Sequence, residues 1–144
     1  MIRKAVKNDI QSINELGSTM FKNFLNKFNI NEYLENTNYI ILVDKENSKL
    51  NAFLICYKNI DFYELELIIV DEKERNKKIG SKLLNNLIIN NLKIDDEILL
   101  EVKTNNVNAI KLYNKFNFKV ISIRKKYYGD EDAYVMKMVI DWKI

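Results

Sequence analysis

Apolar residues recur along the chain at two spacings, and each spacing predicts one type of element. Recurrence every three or four residues is typical of an amphipathic helix, whereas a short alternating or continuous apolar run is typical of a strand. Strand-like runs cover residues 2–6, 38–44, 49–58, 62–71, 97–103, 118–128 and 132–140. Helix-like runs cover residues 7–28, 29–36, 77–92 and 106–116.

Three of the predicted helices place their apolar side chains on one face. The first, with Asn8 or Asp9 as its N-cap, carries Ile10, Ile13, Leu16, Met20, Phe24 and Phe28 at helical spacing. The helix over residues 77–92 carries Ile79, Leu83, Leu84, Leu87 and Ile88. The last helix carries Val107, Ile110, Leu112, Tyr113 and Phe116. Stripes of this kind pack a helix against a sheet.

The order of the elements predicts the fold class. It reads β-α-(α)-β-β-β-α-β-α-β-β, so strand meanders at both ends flank a central strand-helix-strand unit. We therefore expect residues 1–144 to form a single α/β (α+β) domain, with a mixed, mostly antiparallel, twisted sheet of about seven strands and helices on both faces. The run over residues 97–103 is almost continuously apolar, which predicts a strand covered on both faces.

The residue types that are missing exclude several kinds of site. The chain contains no histidine, which excludes serine–histidine and cysteine–histidine nucleophile systems and histidine-based zinc sites. Its single cysteine, Cys56, lies in an apolar run, which favours a buried side chain over a reactive thiol. No segment has the apolar length of a signal peptide or a membrane span, so we expect a cytoplasmic protein.

The charge pattern says less about partners. Because acidic residues are interleaved with basic ones, the net charge of +3 fits a pocket for a polyanionic small molecule at least as well as a nucleic-acid surface. The stretch "RNKKIGSKLL", residues 75–84, places Gly80 at the start of a predicted helix behind Arg75, Lys77 and Lys78. A helix N-terminus beside cations suits a phosphate or pyrophosphate. By itself, however, such a glycine is more often structural.

Two segments resemble the GNAT acetyltransferase superfamily, whose members transfer an acetyl group from acetyl-CoA to an amine. "IIVDEKERNKKIGSKLL" is similar to the acyl-CoA signature, a strand followed by [Q/R]-x-x-G-x-[G/A], with Arg75 first and Gly80 last. "LEVKTNNVNAIKLYNKFNF" is similar to a segment of the branch that acetylates protein N-termini, the ribosomal-protein alanine N-acetyltransferase branch. The resemblance covers nearly the whole chain.

Two residues depart from the superfamily pattern. Lys78 stands where the signature keeps its middle glycine, and Asn117 replaces a later glycine. We expect ordinary backbone angles at Lys78, with its ammonium offsetting part of the loss in phosphate binding. Asparagine tolerates the left-handed conformation, so the change at Asn117 is mild.

The resemblance implies acetyl-CoA as the cofactor, a co-substrate of the reaction, and no metal. The backbone of Ile68, Ile69 and Val70 would pair with the pantetheine arm as an added strand does. The loop flanked by Arg75 would hold the pyrophosphate, and its residues are Asn76, Lys77, Lys78, Ile79, Gly80 and Ser81. Asn106, at the start of the next helix, would also bind the cofactor.

The resemblance also implies a general base and a general acid. Glu101 would take the proton of the amine, and the phenol of Tyr113 would return a proton to the thiolate. Without the resemblance, Glu101 is a strand-end carboxylate facing solvent and Tyr113 is an aromatic residue of the core. Glu64 and Glu66, which share a face of the preceding strand, are alternative bases.

The main hypothesis is direct acetyl transfer to a protein N-terminus. Tyr127 and Tyr128 would either line the peptide groove or simply belong to a partly exposed hairpin. The alternatives are acetylation of a small amine or a lysine side chain, and a non-catalytic acyl-CoA-binding module suggested by Lys78. A nucleic-acid-binding domain rests on basicity alone. The expected partners are acetyl-CoA and an amine acceptor, with no nucleic acid and no membrane, and the expected state is a monomer or weak dimer.

Overall fold

The computed structural model describes residues 1–126 and 131–141. Its strands are β1 Ile2–Lys4, β2 Tyr39–Glu46, β3 Lys49–Lys58, β4 Tyr63–Val70, β5 Glu97–Lys103, β6 Lys119–Arg124 and β7 Ala133–Val139. Its helices are α1 Ile10–Met20, α2 Phe24–Lys27, α3 Ile30–Glu35, α4 Ile79–Asn91 and α5 Val107–Lys115. Two 3-10 turns, Lys7–Asp9 and Glu72–Glu74, precede α1 and α4.

The strands form one seven-stranded sheet in the order β1-β2-β3-β4-β5-β7-β6. Neighbouring strands are antiparallel, except that β4 and β5 are parallel and are joined through α4. Asn47 and Ser48, both with positive φ, form the tight turn between β2 and β3. The predicted fold class, with its mostly antiparallel sheet and its central β-α-β unit, is confirmed.

Helices cover both faces of the sheet, and each face has its own core. On one face, α1, α2 and α3 contribute Ile13, Phe24 and Ile30 to a core that includes Phe53 and Ile55 of β3. On the other face, α4 and α5 pack on Ala52, Leu54 and Cys56 of the same strand. Each of these β3 residues is completely buried, so β3 is the centre of both cores.

The predicted face of α4 is confirmed, whereas the single helix predicted over residues 7–28 is wrong. Ile79, Leu83, Leu84, Leu87 and Ile88 are the buried residues of α4. The N-terminal helix ends before Phe21, whose φ of −125° is extended. The chain then folds back so that Phe24 packs on Gly17, where an added Cβ would overlap the aromatic ring.

The prediction that β5 is covered on both faces is also wrong. Its side chains alternate: Ile98, Leu100 and Val102 are buried in the core beside α4 and α5. Glu97, Leu99, Glu101 and Lys103 point to the opposite face and retain exposed surface. The apolar run therefore reflects one buried face plus the half-buried Leu99. On α5, Val107 is exposed although it lies on the predicted stripe.

Asp9 fixes the N-terminal segment to the sheet. It occupies the N-cap position of α1 but makes no capping hydrogen bond with its side chain. Its buried carboxylate instead accepts hydrogen bonds from Arg3, at 2.7 and 3.0 Å, from Lys45 at 3.1 Å and from the Val6 N–H at 2.8 Å. Burial opposes ionisation, but these donors prevail and lower the pKa of Asp9 to about 2.

Within the described ranges, no helix has the length and apolar character needed to span a membrane. The same residues contain no group of three or more histidine, cysteine, aspartate or glutamate side chains arranged to hold a metal ion.

Candidate active site

The sheet opens into a fork between β4 and β5. The parallel ladder consists of the pairs Tyr63↔Ile98, Glu64↔Leu99 and Leu65↔Leu100. Beyond Leu65, β4 continues to Val70, and it pairs there with β3 on its other side. The fork is thus formed by residues 66–70 of β4 and 101–103 of β5. Because the backbone edge of Ile68–Val70 faces the opening, an extended ligand can add to it as a strand does.

Glu66 and Glu101 both directly follow the last pair of the ladder. Glu66 also coincides with a β-bulge, because Cys56 pairs with Leu65 and Ile55 pairs with Leu67. A bulge bends a strand and redirects a side chain, and bulges are frequent beside active sites. The fork therefore brings together two of the carboxylates that the sequence singles out.

The loop before α4 keeps a backbone that normally favours glycine. Lys78 has φ 62° and ψ 26°, which is the left-handed conformation, and Asn76 has φ 69°. The expectation of ordinary backbone angles at Lys78 is wrong. A left-handed residue here turns the chain sharply into α4, so the lysine reproduces the path that a glycine would take.

The first turn of α4 is open to an anion. Its N-cap is Lys78, whose side chain makes no capping hydrogen bond. The N–H groups of Ile79, Gly80 and Ser81 lie in the first turn, where an α-helix provides no acceptors for its own donors. The Lys78 side chain cannot cap them either, because an ammonium donates hydrogen bonds and accepts none. Donors and a partial positive charge at such an end suit a phosphate. These residues fit the pyrophosphate of the expected cofactor.

Gly80 has a packing role of its own. A Cβ at this position would lie 3.3 Å from the Leu112 side chain of α5 and 4.0 Å from Ile68 of β4. Its small size therefore lets α4 approach α5 and the sheet closely. Asn106 is the N-cap of α5, and its side-chain oxygen accepts a hydrogen bond from the Ala109 N–H at 3.2 Å.

Two of the basic side chains around the loop form contacts with other residues of the chain. Arg75 donates from Nε to the Val70 carbonyl at 3.4 Å, and one of its terminal nitrogens contacts the Met20 sulfur at 3.3 Å. Lys77 pairs with Glu74 at 3.2 Å. Arg75 therefore joins the end of α1 to the end of β4, next to the open turn of α4.

Glu101 and Tyr113 lie on opposite faces of the sheet. The Glu101 carboxylate is exposed on the face opposite Leu100 and Val102, and it pairs with Arg124 at 3.4 Å and Lys126 at 3.6 Å. Tyr113 belongs to the core beside α4, where its ring packs edge-on against Phe118. Burial raises the pKa of the Tyr113 phenol to about 12. A substrate bound in the fork would therefore have the Glu101 carboxylate on one face of the sheet and the Tyr113 phenol on the other.

Glu66 is half-buried, and its pKa is raised to about 7 by burial and, second, by the neighbouring charge of Glu64.

Three tyrosines that the sequence analysis did not single out, Tyr33, Tyr39 and Tyr57, lie on the same side of the sheet as Glu66. Tyr39 and Tyr57 are separated from the turn at Asn47 and Ser48 by similar numbers of residues. Pairing the two strands outward from this turn would therefore have predicted that the two tyrosines are neighbours. Tyr127 and Tyr128 lie outside the described residues.

Comparison with known proteins gives one family match and several similar sequences. Residues 8–118 match the acetyltransferase (GNAT) family. An N-alpha-acetyltransferase of Saccharolobus solfataricus is 45% identical over 73 residues, which cover 48% of this chain and 43% of that protein. The [ribosomal protein bS18]-alanine N-acetyltransferase of Escherichia coli K12 is 36% identical over 100 residues, covering 66% of this chain and 68% of the relative.

A solved structure extends the similarity to the fold. The crystal structure of the ribosomal-protein-S18-alanine N-acetyltransferase from Escherichia coli has a TM-score of 0.78 and 25% identity, and the match covers 99% of this chain and 94% of that one. The aligned part of the chain spans less than half the length of the archaeal N-alpha-acetyltransferases that it matches.

Proposed function

Since the chain belongs to the acetyltransferase (GNAT) family, we propose that it is an acetyl-CoA-dependent N-acetyltransferase and that its acceptor is the N-terminal amine of a protein. The names of its archaeal and bacterial relatives support an acceptor of this kind. The observation that carries the proposal is the fork, which ends beside the open first turn of α4.

The residues that would hold acetyl-CoA surround this point. The free edge of Ile68, Ile69 and Val70 would bind the pantetheine arm, and the loop flanked by Arg75 with the first turn of α4 would bind the pyrophosphate through Asn76, Lys77, Lys78, Ile79, Gly80 and Ser81. Asn106 would contribute its side-chain N–H₂, because its oxygen already caps α5. When bound, the thioester supplies an activated acetyl group.

The reaction would require two proton transfers, one from the acceptor amine and one to the leaving sulfur. Only a neutral amine is nucleophilic, so Glu101 would accept the proton of the incoming ammonium on its exposed carboxylate. The Tyr113 hydroxyl, on the other face, would donate a proton to the departing sulfur. Transfer would be direct, because the chain has no histidine and Cys56 is buried. Glu66 is the alternative base, and its raised pKa favours it for proton transfer near neutral pH.

The alternatives differ in acceptor or in catalysis. Acetylation of a small amine or a lysine side chain would use the same fork. A non-catalytic acyl-CoA-binding module loses its main argument, because Lys78 adopts the backbone conformation of the glycine that it replaces.

The test is acetylation of synthetic peptides, followed by mass spectrometry. Wild-type protein is expected to acetylate the α-amine of peptides, and Glu101→Gln and Tyr113→Phe are each expected to lower kcat roughly a hundredfold. The increase in melting temperature with acetyl-CoA should persist in both variants. Glu97→Gln, on the same face of β5 and paired with Lys137, is the matched control. Unchanged kcat in both variants would remove these catalytic assignments, and no acetylation of any α-amine would remove the proposed acceptor.

A further inference from the structure

A row of side chains crosses three strands beside the fork. Tyr39 of β2 pairs with Tyr57 of β3, and Tyr57 pairs with Glu64 of β4. Directly paired residues of antiparallel strands project to the same face, so the three side chains are neighbours. We call these residues, together with Tyr33 and Glu66, the tyrosine patch.

The aromatic part of the patch is ordered and remains accessible. Tyr33 of α3 stacks on Tyr39, with ring centroids 3.8 Å apart and planes inclined by 8°. The Tyr39 and Tyr57 centroids are 4.7 Å apart. All three side chains are only partly buried, unlike Phe24 and Phe53, which fill the core beside them. Rings that are fixed in place and still exposed can receive a ligand with little loss of side-chain freedom.

The acidic part of the patch consists of Glu64 and Glu66, and neither carboxyl group pairs with a cation among the described residues. Within residues 1–126 and 131–141, no lysine or arginine lies within ion-pair distance of Glu64 or Glu66. Glu101, across the fork, has two such partners. Burial and the charge of Glu64 raise the pKa of Glu66, as expected where no positive charge compensates. The patch therefore combines aromatic faces with two carboxyl groups that have no cationic partner in the described part of the chain.

We propose that the tyrosine patch binds a second positive charge of the acceptor, so that the enzyme prefers protein N-termini with lysine or arginine at the first or second residue. This inference rests on the proposed N-terminal acetylation. Cations are attracted both to tyrosine faces and to carboxylates. Glu64 pairs with Leu99 in the ladder, and Glu66 follows its last pair, so the patch borders the fork in which the α-amine would react.

The experiment uses peptide pairs that are identical except for lysine or glutamine at residue one or two. In at least one pair, we expect kcat/KM of the wild-type protein to be roughly tenfold higher for the lysine peptide. Glu64→Gln and, separately, Tyr33→Leu should reduce this ratio to about twofold or less. Glu64→Lys should turn the preference toward a glutamate-containing peptide. Glu97→Gln should keep the wild-type ratio, since this carboxylate already pairs with Lys137.

The ratio between peptides cancels any general loss of rate, and calorimetric binding of the same peptides in the absence of acetyl-CoA gives a second readout. Equal kcat/KM and equal binding for both members of every pair would overturn the inference and leave N-terminal acetylation intact. A lysine preference that survives in Glu64→Gln, Glu64→Lys and Tyr33→Leu would also overturn it. Preferential binding without acetylation of any peptide would support the patch and contradict the proposed function.

Discussion

Asp9 is a fully buried carboxylate whose charge is balanced by Arg3 and Lys45. Isolating a charge from water is costly, and the cost is offset here by ion pairs and hydrogen bonds from three directions. The residues that contribute them belong to β1, to the segment before α1 and to β2. A single side chain thereby determines where the first helix starts relative to the sheet.

Asp9→Asn should lower the free energy of unfolding by about 3 kcal/mol, because two cations would lose their buried partner. Urea unfolding at pH 7 measures the loss, and Asp61→Asn, an exposed aspartate, is the control. The pKa of Asp9 is lower in the folded protein than its ordinary value of 3.8, so its contribution is fully present above that value. It should disappear as the pH falls toward 2. A variant as stable as the wild type at pH 7 would contradict this role.

At Lys78, in contrast to Asp9, the backbone conformation matters more than the charge. A non-glycine residue in the left-handed conformation costs on the order of 1 kcal/mol, and β-branched residues are especially disfavoured there. The sequence shows which residue replaces the glycine, but not its φ, because the path between β4 and α4 is set by the ends of both elements. The expected ordinary conformation was wrong for this reason.

Lys78→Gly should therefore change the stability by less than about 1 kcal/mol, since relief of strain and the greater freedom of the unfolded chain oppose each other. Lys78→Val should distort the loop and reduce the increase in melting temperature that acetyl-CoA produces. Thermal unfolding with and without acetyl-CoA measures both effects, with the exposed Lys82→Val in α4 as the comparison. Equal cofactor-dependent increases for Lys78→Val and the wild type would show that the loop backbone is unimportant for binding.

The helices illustrate which elements were predictable. The buried face of α4 follows from local spacing alone, and it was predicted residue by residue. The break after Met20 was not, because it depends on Phe24 folding back to contact Gly17, Phe28 and Phe53. A contact across a chain reversal leaves no periodic signal in the sequence. Likewise, the apolar run of β5 identified the strand but not that one of its faces is open.

Gly17→Ala tests this corner between α1 and α2. Alanine is the better helix former, yet the added methyl group would overlap the Phe24 ring. We expect a net destabilisation of about 2 kcal/mol from overpacking, measured by urea unfolding. Ser18→Ala, one position along and exposed, should be neutral or slightly stabilising. Stabilisation by Gly17→Ala would mean that Phe24 moves aside at little cost.

The whole molecule is organised around β3, which separates the two cores. Neighbouring residues of this strand belong to different cores: Phe53 packs with α1, α2 and α3, and Leu54 packs on the side of α4 and α5. Motifs in the sequence identified the candidate catalytic residues, since each motif is local. They did not show that Glu101 and Tyr113 face opposite sides of the sheet, because this depends on the fork and on strands distant in sequence.

Because both cores share β3, we expect the described domain to unfold as one cooperative unit. Phe53→Ala and Leu54→Ala should each lower the free energy of unfolding by about 3 kcal/mol. In both variants, the transitions followed by far-ultraviolet circular dichroism and by tyrosine fluorescence should coincide. Two separate transitions in either variant would show that one face of the sheet stays folded without the other.

Cys56 is the only cysteine of the chain, and it is completely buried in β3. Burial and, second, the nearby Glu66 and Glu64 raise the pKa of its thiol, so the nucleophilic thiolate is scarce in the folded protein. A cysteine introduced at an exposed position, such as Thr37, would therefore be the one that a maleimide dye labels. The native protein needs no prior cysteine removal for site-specific fluorescence labelling, and energy transfer to a labelled peptide can then report how far the acceptor lies from the chosen site.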